Sequence, residues 1–228
     1  MPTHNRANLL IKSIESVKNQ SYQNWELLII DDSDDNTINV INGYLDRRIK
    51  YKYFKGNISQ KINYGIKIAS YDLIARIDAD DYINPEKIKR QVDFLSKHSD
   101  IDIVGTNFYI IDSKSKIIMA KTFPEKDEEI KFLIPIITSV LHSTTLLNKK
   151  IILDIGGYNE NLNYAEDTDL FIRLLGFAKF HNIQENLYFY RVNHKKFDDS
   201  YVSLVYNIGF DYLKKIQGLS KSDNKINY

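Results

Sequence analysis

The chain has no cysteine among its 228 residues, which rules out a disulfide framework and a thiolate metal site. Any metal it uses must be held by oxygen or imidazole, and a reducing compartment is the natural setting. It also lacks an excess of either charge: 31 Lys and Arg stand against 30 Asp and Glu, a formal charge of +1. No global field draws a polyanion, so nucleic acid is not expected as a partner. No apolar run approaches the roughly 18 residues that span a bilayer, and the opening Met1-Pro2-Thr3-His4-Asn5-Arg6 has no signal-peptide core. We therefore expect a cytoplasmic protein, and a peripheral seat at the inner membrane face is compatible with that. What remains is an ordinary globular balance, 43% hydrophobic and 27% charged, in a length that suits one domain with a small appendage.

Leu10, Ile14 and Val17 fall on one helical face, and the apolar run Trp25 to Ile30 then stops at Asp31-Asp32. A turn at 33–36, a short helix over 37–45 and a strand over 50–54 follow. A further helix carrying Ile58, Ile62, Ile66 and Ala69 leads to the apolar run 73–77, which ends in Asp78-Ala79-Asp80-Asp81. This βαβα alternation predicts a mostly parallel sheet flanked by helices, with its ligand beyond the carboxyl ends of the strands, where both acidic clusters sit. Asn84-Pro85 marks a helix start, with Ile88, Val92 and Leu95 inward. Strands are expected over 101–111, 116–121 and 186–191, a loop at Gly156-Gly157-Tyr158, and helices over 167–175 and 201–216, with a frayed tail after Gly218. Residues 125–155 yield no clear assignment.

Three carboxylates within four residues at a strand end repel one another, and a bound cation or a raised pKa relieves them. Oxygen ligands suit Mg²⁺ or Mn²⁺, which also favour diphosphate oxygens, so the segment fits a nucleoside diphosphate held through a metal. Its structural alternative is a solvated acidic turn that caps the next helix. Asp31 or Asp32 is placed to accept from a base N–H or a ribose hydroxyl, and each is also ordinary turn chemistry.

These segments resemble family 2 glycosyltransferases, which have the GT-A fold. Pro2-Thr3-His4-Asn5-Arg6 is similar to the family's loop after its first strand, and Leu28-Ile29-Ile30-Asp31-Asp32-Ser33 to its uridine-contacting strand end. Asn63-Tyr64-Gly65 followed by Ile74-Ala75-Arg76-Ile77-Asp78-Ala79-Asp80-Asp81 resembles the segment with the D-x-D metal motif. Ile103-Val104-Gly105, Gly156-Gly157-Tyr158, Glu166-Asp167-Thr168-Asp169-Leu170, Arg173 and Tyr190-Arg191 follow in the family's order. The resemblance implies an α/β, Rossmann-like GT-A fold over residues 1–195, with a nucleotide-binding half at about 1–100, an acceptor half at about 101–195, and a C-terminal helix and tail at 196–228. It implies an inverting hexosyl- or N-acetylhexosaminyl-transferase that takes a nucleotide-sugar, UDP-linked by expectation, to a glycan or lipid-linked acceptor in cell-surface polysaccharide or glycan synthesis.

Site residues follow from the same resemblance. Pro2, Thr3, Asn5, Asp31, Asp32, Asn63, Asp78, Ala79 and Asp80 would contact the donor, and Asp80 with Asp78 would hold Mn²⁺ or Mg²⁺. Asp167 would be the general base, a role that also suits an acid at a helix start. Tyr158, Glu166 and His142 would meet the acceptor, and Tyr158, Asp169 and Arg173 equally suit a supporting or packing role. Three departures stand out. His142-Ser143-Thr144 replaces a frequent His-Pro-Ser, and the imidazole of Tyr190-Arg191-Val192-Asn193-His194 comes one position later than in Tyr-Arg-x-His. The apolar first strand, central in this fold, is expected to be missing, with the chain opening at the loop that follows it. Its loss makes a truncated, inactive nucleotide-binding relative the alternative. A phosphoryl-accepting receiver domain is disfavoured because no Lys precedes any of the four prolines. A nucleotidyltransferase lacks its Gly-rich phosphate loop here.

Overall fold

A computed structural model of the chain describes residues 1–192 and 199–216. His194 and the tail after Gly218 lie outside the described residues. In chain order the elements are β1 (Pro2–Thr3), α1 (Ala7–Lys18), β2 (Leu27–Asp31), α2 (Thr37–Asn42), β3 (Ile49–Tyr53), α3 (Ile58–Ile68), β4 (Leu73–Ala75), β5 (Tyr82–Ile83) and α4 (Lys87–Lys97). There follow β6 (Ile103–Ile111), β7 (Ile117–Lys121), α5 (Asp127–Leu133), a 3₁₀ turn (His142–Thr144), β8 (Leu146–Asn148), α6 (Lys149–Asp154), α7 (Glu166–Leu174), β9 (Phe180–Arg191) and α8 (Asp199–Ile216).

Parallel pairing joins β1, β2 and β3 into one sheet. A second sheet runs β4-β8-β6-β9-β5, with β7 alongside β6. In it β6 and β9 are parallel, and the other ladders are antiparallel. The α/β architecture is the expected one, but parallel character is limited to the first sheet and the β6/β9 pair. The apolar run 73–77 does not become a buried parallel strand: it forms the short β4, antiparallel to β8, with Leu73 and Ala75 exposed. The opening is not wholly loop either. Pro2 and Thr3 register against Ile30 and Asp31, the Ile30 amide donates to Met1 O at 2.9 Å, and the Met1 ammonium donates to Leu28 O at 2.9 Å. Between β2 and β4 lies a cavity of about 270 Å³ lined by Leu28, Ile30, Ile62, Ile74 and Ile77.

Local chemistry explains the helices that matter here. A capping box opens α3: the Gln60 amide donates to Asn57 Oδ1 and the Asn57 amide to Gln60 Oε1. Asn84 Oδ1 accepts from the Glu86 amide in the turn that leads into α4, so the expected start is displaced: the regular helix begins at Lys87 and its cap residue, Glu86, makes no side-chain cap bond. Leu10, Ile14 and Val17 of α1 pack with Trp25, Ile29, Phe108 and Tyr188, while Ile62 and Ile66 of α3 pack with Leu147, Leu170 and Phe180. Both cores draw residues from either side of position 100. At 25 cal/mol per Å², each fully buried aliphatic contributes about 1.5–3 kcal/mol.

Candidate active site

The first group of site residues sits where β1 and β2 end. Thr3 is buried, and its carbonyl accepts from Lys61 Nζ of α3 at 2.9 Å. Lys61 also pairs with Asp32, and His4 Nδ1 lies 2.9 Å from the same Asp32 oxygen. Burial acts to raise the Asp32 pKa, but the hydrogen bond and charge of Lys61 outweigh it and hold the carboxyl below its usual range. Asp31 is turned inward: one oxygen accepts from the Ser33 amide at 3.1 Å, the other from Tyr51 Oη at 3.3 Å. Asn5 holds a left-handed backbone (φ 52°), receives the Asp34 amide on Oδ1 and gives its own amide to Ser33 Oγ, so it stitches its loop to the 33–34 turn.

The D-x-D turn follows β4 and faces this region. Ser13 Oγ of α1 reaches Ala79 O at 2.8 Å and also Asp81 O, which pins the turn to the helix. The three acids then part company. Asp78 pairs with the buried Arg76 guanidinium at 2.7 Å. Asp81 is buried and accepts from Tyr188 Oη and the Arg191 amide, each at 2.7 Å, so it ties the turn to β9. Burial and the Asp78 charge push the Asp81 carboxyl well up. Asp80 keeps a partly open carboxylate with Arg6 Nε at 3.6 Å, and burial together with the charge of Asp78 raises its pKa.

The residues expected on the acceptor side lie at and near the start of α7. Ala165, just before it, is left-handed (φ 57°), a conformation costly for a residue with a Cβ. Glu166 and Asp167 form the first turn, where the helix dipole favours negative charge. Burial and then the neighbouring Asp167 charge push Glu166 up to about 7, and burial raises Asp167 against the opposing hydrogen bond from the Thr168 amide. The Arg76 charge acts on both carboxyls, and the Asp78 charge acts on Glu166, so the D-x-D turn and the α7 start lie within one electrostatic neighbourhood.

Tyr158 is buried, with its hydroxyl 2.5 Å from His142 Nε2. Burial drives His142 far below its ordinary pKa and Tyr158 up, so the pair is neutral near pH 7. Both side chains are therefore spent on each other inside the core. Asn63 has its amide committed to the 157–160 loop, bonding both the Tyr158 backbone amide and its carbonyl. A Cβ on Gly157 (φ 76°) would lie 2.6 Å from Asn63 Oδ1, so glycine is required there. Arg173 joins Asp169 to the Ile155 and Gly157 carbonyls, a supporting role.

A divalent ion fits this site in one specific way. Among the described residues no group of three or more His, Cys, Asp or Glu is arranged to hold a metal alone. Mg²⁺-type ions need no such cage, since they are bound by one or two carboxylates plus substrate phosphates and water. Asp80, crowded by Asp78 and partly open, has the chemistry of that single carboxylate.

Glu166 also supplies a test of the site's electrostatics. Its folded pKa, about 7, lies above the ordinary 4.5, so the folded state holds the proton more tightly. Below pH 4.5 both states are protonated and nothing is lost; between 4.5 and about 7 the unfolded chain ionises first and stability falls; above about 7 the penalty is constant. Glu166→Gln is therefore expected to stabilise the ligand-free protein by up to about 3 kcal/mol above pH 7, and not at pH 4. Melting temperatures of the two proteins across pH 4–8 check this; a difference that does not grow with pH would contradict it.

Four residues of the site had no place in the sequence argument: Lys61, Arg76, Tyr188 and Arg191 as partners of the acids. Arg76 and Arg191 stand within the motif segments with no partner assigned to them, and Lys61 offers only its spacing, three after Ile58 and four before Gly65 on the inner face of α3.

Comparison with known proteins gives a consistent picture. Residues 1–156 match the family described as Glycosyl transferase family 2. The chain is 31% identical over 191 residues to the O-antigen biosynthesis glycosyltransferase WbnJ of Escherichia coli, covering 80% of this chain and 74% of that protein. It is 33% identical over 198 residues to the putative glycosyltransferase EpsE of Bacillus subtilis (strain 168), covering 82% and 70%. Among solved structures, S. aureus TarS 1–349 in complex with UDP-GlcNAc superposes with a TM-score of 0.73 at 18% identity, covering 99% of this chain and 74% of that one. The mannosyltransferase PcManGT from Pyrobaculum calidifontis, in complex with GDP-Man and Mn²⁺, gives 0.65 at 11% identity, covering 96% and 74%. These two show the fold. Among the described residues no helix is long and apolar enough to cross a membrane.

Proposed function

Because the chain belongs to glycosyl transferase family 2 and is a glycosyltransferase, we propose that it moves a hexosyl or N-acetylhexosaminyl group from a UDP-sugar to a hydroxyl of a glycan or lipid-linked acceptor, with inversion. The observation that carries the proposal is the D-x-D turn, pinned to α1 through Ser13 and to β9 through Asp81 with the Asp80 carboxylate left at 3.6 Å from Arg6, together with the acid pair in the first turn of α7. Inverting transfer needs a leaving-group site and, facing it, one carboxylate to take the acceptor proton.

In this scheme residues up to about 100 bind the nucleotide and residues 101–195 the acceptor. The ends of β1 and β2 hold the nucleoside, and Asp78 and Asp80 lie at the diphosphate. A divalent ion on Asp80, Mn²⁺ or Mg²⁺, would supply Lewis-acid stabilisation of the charge on the departing diphosphate. Asp167 accepts the proton of the attacking hydroxyl, and its raised pKa brings it closer to the working range of a general base. The O-antigen role of the WbnJ relative supports cell-surface polysaccharide as the product class.

Thermal unfolding with UDP, GDP and several UDP-sugars, with and without Mn²⁺, tests the donor class. A ligand that binds only the folded state at about 100 times its Kd stabilises by about 2.7 kcal/mol. A UDP-selective, Mn²⁺-dependent rise in Tm is expected. No rise with any nucleotide would overturn the proposal.

A further inference from the structure

Lys61 is a buried ammonium with two acceptors on two different strands: Thr3 O at the end of β1 and the Asp32 carboxylate just past the end of β2. A buried cation persists only when paired and hydrogen-bonded, and this one draws both partners from the nucleoside end of the proposed donor site. Its Asp32 partner is further fixed by His4 on the same oxygen, while the other oxygen receives only a long contact, 3.4 Å from the Gly56 amide. Beside it, Thr3 Oγ1 is buried with no hydrogen-bond partner among the described residues.

We propose that Lys61 is a positioning residue that sets nucleobase selectivity: it locks Thr3 and Asp32 in one geometry and leaves Asp32 Oδ2 as an obligate acceptor for a ring N–H. An ionised carboxylate only accepts. Uracil and guanine each present a ring N–H beside a carbonyl, whereas cytosine and adenine present a ring acceptor at the corresponding edge and leave the carboxylate unpaired. Sites that hydrogen-bond a ligand group discriminate strongly against analogues lacking it, because the buried polar group is then stranded. The inference rests on the donor-binding function proposed above and adds the device that would select the base.

The test measures dissociation constants for UDP, GDP and CDP, with Mn²⁺, in wild type, Lys61→Met, Lys61→Arg and the charge-balanced double variant Lys61→Met/Asp32→Asn. Wild type is expected to prefer UDP or GDP over CDP, and the better of the two identifies the base. Lys61→Met is expected to weaken that nucleotide about 10- to 100-fold while CDP binding changes little, so the preference collapses. Lys61→Arg should recover part of it, and in turnover the Lys61→Met loss should fall on the donor KM more than on kcat. The double variant covers the case in which the single variant does not fold, and it should show the same collapsed preference. A folded Lys61→Met, or a folded double variant, with the wild-type UDP to CDP ratio would overturn the inference while leaving the donor function intact. A wild type that binds no nucleotide would overturn both.

Discussion

Asp167→Asn is expected to lower the transfer rate about 10²- to 10⁴-fold while donor affinity stays near wild type, the range typical for loss of a general base. The amide nearly preserves size and can still accept from the Thr168 amide, which donates to Asp167 Oδ1 at 2.7 Å, so the α7 start should keep its shape. It cannot take a proton. Asp169 is a poor substitute because Arg173 already holds it at 2.7 Å, whereas Glu166, pushed up to about 7, is the nearest competitor for the role. The experiment pairs a UDP dissociation constant from calorimetry with an initial transfer rate on the acceptor or a surrogate. Near-normal transfer would move the base to Glu166; loss of UDP binding as well would move Asp167 to the donor side.

Asp80→Ala is expected to weaken Mn²⁺-dependent UDP binding by more than about 100-fold, since partners one layer removed from a metal already carry about 10- to 100-fold. Of the three acids in the turn, Asp81 is committed to Tyr188 and the Arg191 amide and Asp78 to Arg76 at 2.7 Å, whereas Asp80 has the longer approach of Arg6 at 3.6 Å. Removing it also relieves crowding with Asp78, so the ligand-free protein should not be destabilised. That contrast separates a binding role from a structural one. Calorimetry with and without Mn²⁺ decides it, and an unchanged metal-dependent affinity would remove Asp80 from the assignment.

Much of the site was legible because its signals are local. An apolar run that stops at paired acids marks a strand end at Asp31-Asp32 and again at Asp78-Asp81, and acids at a helix start mark Glu166-Asp167. What was not legible is the partnership of those acids. The Asp81 bonds to Tyr188 and Arg191 span more than a hundred residues, and nothing in the spacing of either segment announces the other. Strand direction was lost for a similar reason. Only the register of Ile103 to Ile111 against Phe180 to Arg191 makes β9 a long parallel partner, although its first half, Phe180 to Glu185, reads as unpatterned. Family order assigns His142 and Tyr158 to the acceptor side, whereas their contact with each other inside the core depends on packing that no spacing announces.

The space between β2 and β4 bears on how the molecule breathes. β2 turns Leu28 and Ile30 toward the β1 side, and β4 spends alternate residues on β8, as Arg76 N to Thr145 O and Lys149 N to Asp72 O show. By that alternation the Leu28 amide faces the β1 side, and the amides of Leu73 and Ala75 face away from β8. Among the described residues no ladder joins the two sheets, which meet through side-chain packing such as Ile29 with Phe108 and Tyr188, while Ser13 of α1 separately ties that helix to the acidic turn. Backbone amides that lack a ladder partner exchange through small local openings, so the strands flanking this cavity are expected to exchange faster than the β6/β9 ladder of the second sheet.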